Sequence, residues 1–172
     1  MKRLVLRAGH WTVAAFGCAL FAVGGLGASS IAFGQDQSAA TPKDVIFARK
    51  IIMATIGTNM DEIDTMLQTG KIDLADGHEH ADFISVMLMA FPHLFPPSSD
   101  QWKPNVARDP GTDTFASPDI WKSYTDFYKQ AAFASKTAYN VSRAKDEAEF
   151  KKFGAELRLT CDTCHSTFLK SE

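Results

Sequence analysis

The chain has 172 residues, of which 45% are hydrophobic and 22% charged, with a formal charge of −2 at neutral pH. These proportions exclude global disorder, which needs low hydrophobicity and high charge, and the length sets one domain with or without a tail. No run of Lys or Arg exceeds two residues, so the basic footprint that neutralises nucleic-acid phosphates is missing and nucleic acid is set aside as a partner.

The first 34 residues read as a signal peptide. Lys2, Arg3 and Arg7 supply the positive start, Trp11 to Leu26 runs without a charge, and Ala32 and Gly34 fit the small-x-small pattern of a cleavage site. The competing reading is an uncleaved membrane anchor. Six glycines among the first 34 residues make a poor spanning helix and favour cleavage after Gly34. Cleavage removes Cys18 and three positive charges, leaving 15 basic and 20 acidic residues, a charge of −5, in the mature chain 35–172. The destination is an oxidising compartment, the bacterial periplasm.

Thr41-Pro42 opens a first helix with Asp44 in its first turn. Val45, Ile52, Ile56, Met60, Ile63 and Leu67 then recur at helical spacing, and Thr69-Gly70 closes the segment. A second helix begins between Asp73 and Asp76 and runs to Phe91, with Ala81, Ile84, Leu88 and Phe91 on one face and Pro92 ending it. Five prolines between residues 96 and 118 mark a long loop. Ser117 as N-cap and Pro118 at the first helical position open a third helix that turns Trp121, Tyr124, Phe127, Ala131, Ala134 and Ala138 inward. The fourth, from about Lys145 to Lys170, carries Phe150, Phe153, Leu157, Cys161, Cys164 and Phe168 on one side. No segment alternates as a strand does. The expected fold is all-α, an antiparallel four-helix bundle.

Cys161-Asp162-Thr163-Cys164-His165 is a C-x-x-C-H sequence, the attachment signature of a c-type haem. Two thiols three residues apart can add to the two vinyl groups on one edge of the macrocycle, and the adjacent imidazole then reaches the iron as proximal ligand. Three other chemistries use such cysteines. A thioredoxin-type dithiol follows a strand at a helix N-terminus, whereas this motif lies inside the last helix. A zinc site needs further ligands, for which only His78, His80 and His93 remain besides His165. A plain disulfide has no use for His165. Covalent attachment of one haem c is the reading that employs every residue of the motif, and Met53, Met60, Met66, Met87, Met89 and the many Phe supply the apolar surroundings such a group needs, as they would a plain core.

A haem motif at the end of a four-helix chain resembles the cytochrome c′ family, the class II c-type cytochromes. The likeness includes Arg49 followed by Met53, Leu94-Phe95-Pro96 after the second helix, Pro118 with Ile120-Trp121 opening the third, and Phe153-Gly154 ahead of the haem motif. The resemblance implies that Cys161 and Cys164 carry the thioethers, that His165 is the proximal ligand and that Met53 stands on the distal side, where it either binds the iron or crowds the sixth position. It also implies an Arg49 near the haem, pairing with a propionate, and a homodimer formed through the first two helices. The family's basic residue four positions after the proximal histidine is here Leu169, followed by Lys170.

The function expected from these residues is single-electron transfer in the periplasm, with soluble or membrane-bound redox proteins as partners and no catalytic residues. The alternative is a high-spin haem protein that binds nitric oxide or carbon monoxide at an open distal site. The axial set decides between them, because a methionine sulfur on the iron raises its potential and closes the sixth position.

Overall fold

The computed structural model describes residues 40–170, and the signal peptide read at residues 1–34 lies outside them. Among the described residues are four long helices and one short one: α1 (Pro42–Thr69), α2 (Leu74–Ala90), α3 (Asp119–Lys122), α4 (Tyr124–Val141) and α5 (Glu147–Phe168). None of these is long and apolar enough to cross a membrane. The start of α1 is fixed by a reciprocal cap, in which the Thr41 hydroxyl accepts from the Asp44 amide and the Asp44 carboxylate accepts from the Thr41 amide. Its end is Gly70 at φ 70°, a left-handed conformation that glycine adopts without a Cβ penalty. Asp73 and Asp146 accept from first-turn amides of α2 and α5 in the same way.

The third helix departs from its expected form. Ser123, at φ −127° and ψ 46°, interrupts it, so one short turn, α3, precedes α4. The cap differs from the expectation as well: Pro118, and not Ser117, holds the N-cap position and gives no side-chain cap bond, while the Ser117 hydroxyl one residue earlier accepts from the Asp119 amide at 3.2 Å. Tyr124 is not inward either. It is 38% exposed and donates its hydroxyl to the Pro92 carbonyl at 2.8 Å, which joins the start of α4 to the end of α2.

Each long helix packs on two others, α1 on α2, α2 on α4, α4 on α5 and α5 on α1, which makes a closed square of antiparallel neighbours. The core is divided along the bundle. Ile56, Met60, Ile63, Ile84, Ala138, Phe150 and Leu157 form the larger part, and Phe95, Ile120, Phe127 and Phe168 form a separate aromatic part near the end of α5. Cys161 packs against the first and Cys164 against the second. A short antiparallel bridge between Ala116 and Leu169 clips the end of α5 to the loop before α3.

The larger core tolerates little added volume. A Cβ on Gly77 would stand 2.5 Å from Cε2 and 2.6 Å from Cζ of Phe150, a ring with no exposed surface. A Cβ on Gly154 would come closest to the far end of the half-buried Leu67, Cδ1 at 3.0 Å and Cδ2 at 3.4 Å, with Ile63 Cγ2 at an ordinary 3.6 Å. Alanine is favoured over glycine in a helix by about 1 kcal/mol. Overpacking costs about 1–3 kcal/mol. Gly77→Ala is therefore expected to lower the urea midpoint with an unchanged slope, whereas Gly154→Ala leaves it level or raises it. A raised midpoint in Gly77→Ala would show that the Phe150 ring can move.

Candidate functional site

A cavity of about 190 Å³, open to solvent on one side, lies between the first half of α1 and the end of α5. Met53 and Arg49 reach it from α1, and Cys164, His165 and Phe168 from α5. Phe91, Phe95, Ile120 and Phe127 complete an apolar wall, with Phe95 and Phe127 edge to face at 4.7 Å and Phe127 and Phe168 at 5.2 Å. Helical geometry explains the placement. Arg49 and Met53 are one turn apart on α1, and Cys164 and His165 stand three and four residues after Cys161, which puts all three on one face of α5.

Four of the five residues singled out from the sequence therefore line one cavity. Cys161 is the exception, since it packs one turn earlier against the larger core. Both thiols are free and half-buried. Burial pushes the Cys161 thiol up from its ordinary value and raises that of Cys164 to about 11, so both are neutral at physiological pH. His78, His80 and His93 line no part of the cavity. The first contacts the Ala144 carbonyl at 3.0 Å and the second the Asn59 amide oxygen at 2.9 Å, both at the far end of the bundle. Among the described residues no three His, Cys, Asp or Glu side chains gather as a metal site.

Arg49 is only 4% exposed, an unusual state for a cation. Its guanidinium donates to the hydroxyls of Ser99 at 2.9 Å and Thr114 at 3.1 Å and to the Leu94 carbonyl at 3.4 Å, and it lies 4.4 Å above the Phe95 ring. These partners are all neutral. Burial lowers its pKa to about 10, against the pull of Asp100, and it remains charged at neutral pH. An anionic group entering the cavity would meet a preformed, partly desolvated positive charge. Ser99 and Thr114 lie in the proline-rich loop without periodicity, so no local signal pairs them with Arg49. Lys50, whose ammonium donates to the Asp113 carbonyl at 3.0 Å, holds the same loop from the next position.

On the α5 side Leu169 lines the cavity where the resembling proteins carry a basic residue. Lys170 is turned aside. Its amide donates to the Phe115 carbonyl, and its ammonium lies 3.5 Å from Asp119, a carboxylate held near pKa 2 chiefly by the Ser117 hydroxyl and then by Lys122.

The donor set fits a covalently attached haem. Two thiols have the vinyl spacing, an imidazole and a thioether face one cavity from opposite helices, the walls are aromatic, and a buried cation is available to a carboxylate. The rings and aliphatic chains of its walls would shield the macrocycle from water except at the open side.

Comparison with known proteins agrees with this chemistry. No curated protein sequence matches the chain. The family model described as cytochrome c′ matches residues 44–169. Among solved structures, cytochrome c′ from Thermochromatium tepidum is 19% identical, with 77% of this chain and 98% of that one covered at a TM-score of 0.67. Cytochrome c′ from Rhodopseudomonas palustris is 28% identical over 75% and 98%, at 0.65. A nitric oxide complex of a mutant cytochrome c′ from Alcaligenes xylosoxidans is 14% identical over 77% and 98%, at 0.64. With the family model covering all of the described helices but the first two residues of α1, this chain belongs to the cytochrome c′ family, whose members bind covalent haem c.

Proposed function

We propose that this chain is a periplasmic electron carrier without enzymatic activity, its haem c attached at Cys161 and Cys164 and bound axially by His165 and Met53. The observation that carries the reading is the pairing of Met53 on α1 with His165 on α5 across one cavity. When bound, the group supplies a one-electron couple; the chain sets its potential and access. Met53 offers a soft sulfur ligand that favours the reduced iron. The Arg49 guanidinium, which contacts no carboxylate among the described residues, favours extra negative charge in the cavity and so acts in the same direction. Phe91, Phe95, Phe127 and Phe168 keep water away, which reduces the reorganisation that accompanies each transfer.

Soluble or membrane-bound redox proteins are the partners this reading needs. A homodimer through α1 and α2 belongs to it as well. Phe47 and Ile51 on α1, 62% and 51% exposed, and Val86 on α2, 60% exposed, are apolar residues that a second copy would cover. Sedimentation of the haem-loaded protein is expected to give twice the chain mass, and Phe47→Glu with Val86→Glu to restore the single mass.

The alternative, nitric oxide or carbon monoxide binding at the distal position, is favoured by the relation to a protein solved as a nitric oxide complex. An absorption spectrum of the reduced protein with and without carbon monoxide separates the two. The electron carrier is low spin and unchanged by the gas; a rapid shift to a carbon monoxide complex would put gas binding first.

A further inference from the structure

We propose that a second cavity, a groove between α2 and α4, binds a small planar aromatic acid. This groove, half open to solvent, has a volume of about 470 Å³ and shares no lining residue with the cavity of Met53 and His165. Its size is within the range of small-molecule sites.

Its shape follows from the sequence of α4. Tyr128 and Tyr139 stand eleven residues apart, about 16 Å along the helix, and bracket the groove at its two ends. Between them Ala132 and Ser135 face Leu88 and Met89 of α2, so short side chains lie opposite long apolar ones and the intervening space stays unfilled. The Ser85 and Ser135 hydroxyls form the floor. They lie 3.3 Å apart, and Ser135 also donates to the Ser85 carbonyl at 2.9 Å, which leaves the Ser85 oxygen with accepting capacity for a ligand hydroxyl.

The ends of the groove select charge. Lys136 lies over the Tyr139 ring at 4.9 Å and makes no ion pair with any carboxylate among the described residues. At the other end the imidazole of His93 meets the Tyr128 ring edge to face at 6.0 Å. Among the described residues no acidic side chain lines the groove. An anion is therefore matched at Lys136, and an aromatic body is matched by the Met89 thioether and the flanking rings. A flat ring carrying one carboxylate and one hydroxyl matches these groups: carboxylate at Lys136, ring beside Met89 and Ala132, hydroxyl at the serine floor.

The test uses the haem-loaded protein and 4-hydroxybenzoate as probe, followed by calorimetry and by chemical-shift changes on α2 and α4. Saturable binding of one molecule per chain is expected, with the haem absorption unchanged at saturation. Ala132→Phe fills the groove and should abolish binding. Lys136→Gln, an exposed substitution that leaves the fold alone, should weaken 4-hydroxybenzoate about tenfold while leaving the weaker binding of neutral 4-hydroxybenzyl alcohol as it was. Lack of saturable binding, binding indifferent to both substitutions, or a shifted haem spectrum that places the probe on the iron would each overturn the proposal. So would a second copy of the chain found seated on α2 and α4. The outcome is independent of the electron-carrier reading, which stands or falls on the carbon monoxide experiment.

Discussion

Replacing Cys161 and Cys164 together by Ala is expected to abolish retention of haem through acid-acetone extraction, whereas the unaltered protein keeps it and shows the mass of the processed chain plus one haem. Acid protonates the imidazole and acetone unfolds the chain, so a haem held only by His165 and Met53 would be released, but a carbon-sulfur bond to each former vinyl carbon survives. Retention thus reports thioethers and nothing weaker. The single variants refine the point. Cys164 lines the cavity and Cys161 packs one turn earlier against the larger core, so each is expected to leave one attachment in place and a haem that still resists extraction. Among the described residues neither thiol is bonded to another, and both are free. A processed chain with a haem-free mass would end the assignment of the motif, and with it the axial role of His165.

How much of this was legible beforehand differs from element to element, for physical reasons. The start and end of α1 were readable because a local device sets each: the Thr41 and Asp44 exchange and the left-handed Gly70 involve neighbours within three or four residues. The core face of α5 was readable because Phe150, Leu157 and Phe168 keep helical spacing, and all three are buried. The break at Ser123 was not. A serine at that point carries no signal that distinguishes a continuing helix from an interrupted one, and the interruption follows from tertiary demands, with Trp121 donating to the Phe95 and Pro96 carbonyls and Tyr124 to that of Pro92. The cavity shows the same division. C-x-x-C-H places its three residues by covalent spacing alone, but Arg49 and Met53 meet them only because α1 and α5 are antiparallel neighbours, a fact of topology that reached the sequence reading through resemblance. The neutral partners that bury Arg49 lie 50 and 65 residues away in a loop with no periodicity. Nothing local announces them.

Met53→Ala is expected to convert a low-spin protein to high spin and to open it to carbon monoxide, with loss of the weak near-infrared band typical of His/Met ligation. Two roles for Met53 predict different outcomes, and a second substitution tells them apart. As a ligand, Met53 holds the sixth position with its sulfur; as a cap, it holds that position with its bulk. Met53→Leu keeps most of the volume and removes the sulfur. Coordination predicts that Leu and Ala both give high spin and both lose the near-infrared band, with Leu slower than Ala to admit the gas. Crowding predicts that the native protein is already high spin, that Leu resembles it, and that only Ala changes gas affinity. The placement of Met53 favours the first. It is half-buried, packed against the larger core, and one turn beyond the charged Arg49, so its side chain has apolar support on one side and the cavity on the other. An unbranched thioether in such a position can extend across a cavity that a Leu of similar volume would only line. A reduced native protein that is high spin and takes up carbon monoxide at once would make Met53 a distal cap and move gas binding ahead of electron transfer.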